Sequence, residues 1–426
     1  MNEHDSEIML GLMRTHGYQQ TASSKDADLV VINTCSIRQK SYQKAVSAIG
    51  RLKERQGVKL AVTGCVVSHE GEHLLKRFPF IDFVLGPDHV QKLPQLMEDN
   101  GVGVQNFEPL QDSFHDLSDY EFPTVIDPIA LGKNHRKVSA YVTIMKGCDN
   151  VCSFCIVPQV RGGEVYRPMG DIIREIQLLE KEGIQEVVLL GQNVNSYGKG
   201  GKVDFTQLLR LITQETGMAR IRYTSPHPKD LSSDLIQEYG RNPRLCPHIH
   251  LPVQSGSNQI LKKMRRSYSR EVYLRKVERL RQVRPDIAIT TDIIVGFPGE
   301  TESDFQDTLN LVAEADFDAS YSFSFSPRPG TEAASWADDI PRDLKRERLS
   351  RLQLHQEEIS HKKNAQLIGK SYEVLIEEET DRPGQLTGKT PHGKIVNFDG
   401  DRTFIGARMP VRICHASAYS LRGELC

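Results

Sequence analysis

Short apolar runs alternate with amphipathic stretches near the start of the chain. Asp28-Leu29-Val30-Val31-Ile32-Asn33-Thr34-Cys35, Lys59-Leu60-Ala61-Val62-Thr63-Gly64-Cys65 and Asp82-Phe83-Val84-Leu85-Gly86 are each too short for a helix. They read as buried strands. Helical patterning fills the gaps, so the runs predict a small parallel sheet covered by helices. Met1-Asn2-Glu3-His4-Asp5-Ser6-Glu7 leads straight into a helical pattern with Ile8, Leu12 and Met13 on one face. Layers of this kind usually open on a strand, so the sheet is expected to lack its first one.

The pattern then changes twice. An irregular stretch with Pro109, Pro123 and Pro128 predicts a linker at 119–134, after a first domain at 1–118. From 135 to 364 strand, loop and helix repeat. The predicted strands are Val138–Met145, Glu186–Leu190, Arg220–Thr224, His248–Pro252, Ala288–Val295 and Ala319–Phe325. Ile172, Ile173, Ile176 and Leu179 predict a helix over Asp171–Glu182 that stops at Gly183, and Thr301 with Asp304 predicts a helix start. Six β/α units predict an incomplete barrel of the TIM type, with chemistry at the carboxyl ends of its strands. Residues 365–426 are rich in β-formers and turn pairs and predict a small β-barrel. The fold class is therefore α/β: a partial (β/α)6 TIM-like barrel between a small parallel α/β domain and a small all-β barrel.

Composition narrows the function only a little. A chain of 426 residues with 38% hydrophobic and 26% charged residues fits a globular protein of several domains. No apolar run approaches the roughly 18 residues of a membrane span, and the N-terminus lacks a signal pattern. No membrane partner and a cytoplasmic location are expected. The formal net charge of −2 excludes a uniformly basic nucleic-acid binder, so any such site must be a local patch. Lys262-Lys263-Met264-Arg265-Arg266, continued by Arg270, Arg275, Lys276, Arg279, Arg281 and Arg284, is one candidate. A solvated helix face and a phosphate-contacting surface both remain open for it. Arg161 and Arg167 could reach a carboxylate or a phosphate. One of His248 and His250, which alternate on a predicted strand, is expected to face the barrel interior rather than bind metal.

The cysteines change the picture most. Cys148, Cys152 and Cys155 form a C-x3-C-x2-C run directly after the first barrel strand. Three thiolates this close can hold three irons of a [4Fe–4S] cubane and leave the fourth iron open to a small molecule. An electron-transfer cluster takes four cysteines, and a structural zinc site also wants four ligands. Cys35 and Cys65 end the first two predicted strands, where ligands of parallel sheets gather. Two unrelated core residues remain the alternative for that pair. Cys246, Cys414 and Cys426 are read as structural or incidental, and Phe154 as packing beside the site.

Cys148-Asp149-Asn150-Val151-Cys152-Ser153-Phe154-Cys155 resembles the signature of the radical S-adenosylmethionine (SAM) enzymes. The resemblance runs the length of the chain and is closest to the methylthiotransferases, in their tRNA-modifying branch. It rests on Asn33-Thr34-Cys35-Ser36-Ile37-Arg38, Gly191-Gln192-Asn193-Val194-Asn195-Ser196-Tyr197-Gly198, Leu251-Pro252-Val253-Gln254-Ser255-Gly256-Ser257, Gly296-Phe297-Pro298-Gly299-Glu300-Thr301 and Ser326-Pro327-Arg328-Pro329-Gly330-Thr331. The tail resembles a TRAM domain, a small RNA-binding barrel.

The resemblance implies a transferase with two [4Fe–4S] clusters. The first, on Cys148, Cys152 and Cys155, binds SAM at its open iron and cleaves it to a 5′-deoxyadenosyl radical. Gly191, Gln192, Asn193, Gln254 and Gly296 fall in the matching stretches and are the expected SAM contacts. The second, with Cys35 and Cys65 among its ligands, supplies sulfur to carbon 2 of an isopentenylated adenosine beside the anticodon. The family's N-terminal domain carries three cysteines, and the third is expected upstream of Met1, with a start placed at an internal methionine as the simplest account. Where Tyr166 stands, the family more often has a small hydroxyl residue. The implied partners are tRNA and an electron donor such as flavodoxin or ferredoxin, and a monomer is expected. The rival readings are methylthiolation of an aspartate in a small-subunit ribosomal protein, a non-catalytic iron–sulfur RNA-binding protein, and a zinc module.

Overall fold

The computed structural model describes residues 1–35, 39–53, 57–98, 122, 137–201 and 203–426. The expected linker at 119–134 lies outside them apart from Phe122, as do Pro109 and the motif residues Ser36, Ile37 and Arg38. Two compact units emerge: residues 1–133 with 145–151 and 155–167, and residues 134–144 with 152–154 and 168–426.

In the first unit, β1 (Leu29–Thr34), β2 (Lys59–Gly64) and β3 (Phe83–Leu85) form a parallel sheet in the order β1-β2-β3. The central strand β2 is buried on both faces, which is why its run reads as continuously apolar. Ala61 packs on one side with Ile8, Met9 and Met13 of the helix Asn2–Thr15 and with Leu93. Leu60 and Val62 pack on the other with Ile49, Val66, Val67 and Leu74. Gly64 closes β2 at φ +93°, and a Cβ there would lie 2.3 Å from the Thr34 carbonyl oxygen. Only glycine lets the two strand ends approach this closely.

The larger unit starts on β4 (Ser139–Thr143). The short antiparallel pair β5 (Met145–Lys146) and β6 (Val165–Tyr166) follows and clusters with the first unit. The larger unit resumes with β7 (Glu186–Leu190), β8 (Arg220–Tyr223), β9 (His248–His250), β10 (Ala288–Val295) and β11 (Ala319–Ser324). Parallel ladders β4-β7-β8 and β9-β10-β11 are joined by the bridge between Ile221 and Leu245, giving a six-stranded partial barrel. β7 and β10 coincide with their predicted runs, and the other four differ only at their ends. The expected helices appear as Met169–Lys181 and Glu302–Ala315, the latter with a full capping box between Thr301 and Asp304.

A 24-residue helix, Arg342–Ala365, lies along β11. Its buried stripe is mostly polar: Lys345, Arg348, Leu352, Gln356, Ser360 and Asn364. Gln356 donates to the Phe317 carbonyl at 2.9 Å and Ser360 to the Asp318 carbonyl at 2.9 Å. These hydrogen-bonding side chains replace the apolar stripe that a covering helix usually presents.

The C-terminal strands β12 (Ser371–Glu379), β13 (Gln385–Lys389), β14 (Ile395–Asp399), β15 (Arg408–Ala416) and β16 (Leu421–Leu425) close into a barrel in the order β12-β13-β14-β16-β15. Val374, Ile376, Leu386, Val396, Phe398, Val411 and Ile413 fill it. Its β13–β14 turn packs against the amino-terminal ends of the larger barrel's strands. Arg220 donates to the carbonyls of Lys389 at 2.8 Å and Glu373 at 2.9 Å, and Arg222 donates to the Thr390 carbonyl at 2.8 Å. Lys394 pairs with Asp318 at 3.0 Å. Among the described residues no helix is long and apolar enough to cross a membrane.

Candidate cofactor-binding site

The cysteine run begins just beyond β4 and β5. Cys148, Cys152 and Cys155 are all half-buried and unbridged. Cys148 donates its backbone N–H to the Gly162 carbonyl at 3.1 Å, and the Asn150 amide stands 3.4 Å from the Cys148 sulfur. Gly147 precedes it at φ +78°, where a Cβ would fall 1.7 Å from the Gly163 carbonyl oxygen. The backbone around Cys148 therefore requires glycine.

The Cys152 part of the loop is held by the larger unit. Ser153 donates its hydroxyl to the Lys263 carbonyl at 2.8 Å and its backbone N–H to the Met264 carbonyl at 3.2 Å. Arg266 reaches the Cys152 sulfur with Nη1 at 3.5 Å. Phe154 packs edge-on to Phe297, ring centroids 6.3 Å apart, as its reading as a packing residue expects. Donors aimed at sulfur and partial exposure suit thiolates that bind a cluster. Cys246 is the contrast: it is buried, and burial pushes its thiol up to about 11. Among the described residues, no group of three His, Cys, Asp or Glu side chains is arranged to hold a single metal ion.

The residues expected to contact SAM lie past the carboxyl ends of barrel strands. Gly191, Gln192 and Asn193 follow β7, and buried Asn193 donates to Asp230 at 2.9 Å. Gln254 follows β9 at φ +75°, a conformation costly for a side chain with a Cβ and characteristic of functional loops. Its backbone N–H donates to the Asp292 carbonyl at 2.9 Å, so the tertiary structure fixes this turn. Gly296 follows β10 at φ +68°, and a Cβ there would lie 2.5 Å from Lys345 Cγ. Its lack of a side chain is thus already required by the helix that packs over it. Ser225, at φ +60° beyond β8, is a further strained strand end that the sequence did not single out.

Inside the partial barrel, His250 on β9 lies 3.4 Å from Asp292 on β10 and 3.0 Å from the Thr290 hydroxyl. Tyr321 on β11 packs edge-on to His250 and is 54% exposed. His248 sits deeper, and burial and Arg222 push its imidazole down to about 3. His248 and His250 share one face of β9, and His248 also comes within 3.4 Å of the Thr290 hydroxyl.

In the first unit, Cys35 and Cys65 directly follow Thr34 and Gly64, which are register partners on adjacent parallel strands. The structure therefore brings the two together at one sheet edge. Cys35 is half-buried, and Cys65 is buried against Ile156 and Val160. Arg161 does not reach outward. It is 3% exposed and pairs with Asp5 at 2.7 Å and Asn2 at 3.1 Å. Burial works against its charge, but Asp5 and the Cys65 sulfur hold it above its usual value. Arg167 is also buried.

Comparison with known proteins decides the family. Residues 142–312 match the radical SAM superfamily, 1–86 an uncharacterised protein family (UPF0004), and 365–426 the TRAM domain. A tRNA-2-methylthio-N(6)-dimethylallyladenosine synthase of Anaeromyxobacter dehalogenans is 46% identical over 100% of this chain and 92% of its own length. One of Pelobacter propionicus is 43% identical over 100% of this chain and 96% of its own. This chain belongs to the tRNA-2-methylthio-N(6)-dimethylallyladenosine synthase family. Among solved structures, the radical SAM methyltransferase TsrM of Kitasatospora setae superposes with a TM-score of 0.55 at 16% identity, covering 76% of this chain and 66% of that one. That likeness supports the radical SAM fold.

As a member of this synthase family, the chain uses much of its basic stretch internally. Arg265 pairs with Glu332 at 2.8 Å, Arg270 with Glu314 at 2.9 Å and Arg284 with Asp286 at 2.8 Å. Lys276 donates to the carbonyls of Pro228 and Leu231, and Arg281 to that of Ala315. Lys262, Lys263, Arg265, Arg275 and Arg279 are exposed, and of these Lys263 donates to the Pro298 carbonyl at 3.3 Å and Arg265 is held by Glu332. Arg266, read from sequence as one member of a charge run, is instead buried beside the cysteine loop. Its signal was its place in the run, two residues before Tyr268, which anchors it at 2.8 Å.

Proposed function

We propose that this protein is a radical SAM transferase that methylthiolates carbon 2 of isopentenylated adenosine next to the anticodon of tRNA. The carrying observation is the match over the whole chain to synthases named for that product. The partial barrel with a half-buried thiol run at its first strand end supports it.

Cys148, Cys152 and Cys155 are read as three ligands of a [4Fe–4S] cluster, and Gly191, Gln192, Asn193, Gln254 and Gly296, in loops after the barrel strands, as the SAM contacts. Bound there, cluster and SAM together supply the one-electron cleavage that activates an inert carbon–hydrogen bond. The protein's part is to hold and to exclude. Backbone at the strand ends admits the ligand closely, and His250, Asp292 and Tyr321 give the interior polar groups able to orient a purine. The TRAM barrel is the candidate tRNA surface, and the exposed Lys262, Arg275 and Arg279 are further phosphate contacts. Cys35 and Cys65 are proposed as ligands of a second cluster that supplies sulfur. An external one-electron donor of the flavodoxin or ferredoxin class completes the reaction, and the protein works as a monomer in the cytoplasm, where its tRNA substrate is.

The test is anaerobic reconstitution, then incubation with SAM, reductant and isopentenylated tRNA. A tRNA mass gain matching a methylthio group, with release of 5′-deoxyadenosine, is expected. Methylthiolation of a ribosomal protein instead would favour the aspartate-modifying rival. An intact cluster without SAM cleavage would favour a non-catalytic RNA-binding protein.

A further inference from the structure

We propose that Arg266 is a positioning residue that raises the reduction potential of the cluster on Cys148, Cys152 and Cys155. The inference rests on the cluster reading above. Its basis is how the chain delivers this guanidinium to Cys152.

The helix Asn258–Lys263 ends on Met264, and Arg265 turns into the left-handed region at φ +55°. Arg265 and Arg266 return their backbone N–H groups to Lys262 at 3.0 Å and Leu261 at 2.9 Å. This closure is normally built around glycine, so a non-glycine residue there holds strain. The turn sends the next side chain inward. Arg266 is 8% exposed and donates Nε to the Tyr268 hydroxyl at 2.8 Å, Nη2 to the Pro252 carbonyl at 2.8 Å and Nη1 to the Cys152 sulfur at 3.5 Å. Tyr268 is anchored in turn by donating to the Val253 carbonyl at 2.9 Å.

The same helix end grips the cysteine loop. Ser153 donates to Lys263 and Met264, the two residues just before this turn. Cys152 and the guanidinium are therefore mounted on one frame, and their separation is fixed by four hydrogen bonds rather than by a mobile side chain. Only a planar fork reaches a hydroxyl, a carbonyl and a sulfur at once.

A buried positive charge with an N–H on a ligand sulfur stabilises negative charge added to the cluster. One-electron reduction adds that charge. The electron comes from a low-potential donor, dithionite in the assay, and passes to the SAM sulfonium as its carbon–sulfur bond breaks. Without Arg266 the cluster accepts the electron less readily, while its iron ligands are unchanged.

The test is an EPR-monitored potentiometric titration of the reconstituted full chain. Cys35→Ala and Cys65→Ala are included so that only the triplet holds iron. Arg266→Gln is expected to lower the ratio of reduced to oxidised cluster at a fixed potential about tenfold, about 59 mV for a one-electron couple, with iron per chain unchanged. Arg266→Lys, which keeps the charge but loses the fork, is expected to fall between. 5′-Deoxyadenosine yield should drop in Arg266→Gln and recover under a stronger reductant such as titanium(III) citrate. An unmoved midpoint in a variant with full iron would overturn the proposal, as would equal loss of iron in both variants, which would make Arg266 a structural clamp. If the unsubstituted triplet takes up no four-iron cluster, the underlying reading fails with it.

Discussion

Cys152 concentrates the chemistry at the smallest scale. Replacing it with alanine is expected to remove the cluster from the triplet and abolish 5′-deoxyadenosine release, read from iron content and product mass. Gly147 makes a complementary point. Gly147→Ala would bring a Cβ within 1.7 Å of the Gly163 carbonyl at φ +78°. The loop would have to deform, at a cost of order 1–3 kcal/mol, and iron uptake should fall although no ligand is lost. His248 sets an acid limit. Its folded value is about 3 against 6.5 unfolded, because burial disfavours the imidazolium. The unfolded chain then binds more protons between those values, so stability is full above 6.5 and falls as pH drops toward 3. His248→Gln should flatten this loss, measured as the change in urea midpoint between pH 7 and pH 5. The slope at stake is at most about 1.4 kcal/mol per pH unit.

At the scale of elements, the β13–β14 turn is the part with the clearest consequence. Arg220 is buried and binds two backbone carbonyls of the C-terminal barrel, with Glu373 beside it at 3.0 Å. Arg220→Ala leaves those carbonyls without their donor. A loss of about 2 kcal/mol at this junction is expected. Limited proteolysis should then cut more quickly near 366–370, between the long helix and β12. That helix, Arg342–Ala365, could not be read from apolar periodicity. Apart from Leu352 its buried face is polar, Lys345, Arg348, Gln356, Ser360 and Asn364, a stripe whose burial makes sense only once the carbonyls of Phe317 and Asp318 are in place to accept from it. The barrel strands were legible because alternation and strand-end glycines are local signals.

For the whole molecule, iron stoichiometry is the informative measurement. About eight irons per chain after anaerobic reconstitution would mean that the sheet edge with Cys35 and Cys65 fills as well as the triplet, and about four that it does not. The chain as a whole carries a net charge of −2, so tRNA binding must come from local surface and should weaken steeply with salt. Substituting Lys262, Arg275 and Arg279 together with glutamine should reduce that salt slope without changing 5′-deoxyadenosine release in the absence of tRNA. A filter-binding series across salt concentrations checks it.

Sequence alone determined the order of layers, the cysteine run and its place after a strand. Strand periodicity and ligand spacing are written within a few consecutive residues. It also marked Cys35 and Cys65, because each ends its own apolar run. Tertiary structure decided what each charge does. Arg161 turned inward to Asp5, most of the basic stretch was spent on carboxylates and carbonyls, and Arg266 came to the Cys152 sulfur. A side chain's partner depends on residues far away in sequence, and a buried guanidinium takes whichever acceptors the fold has left unsatisfied.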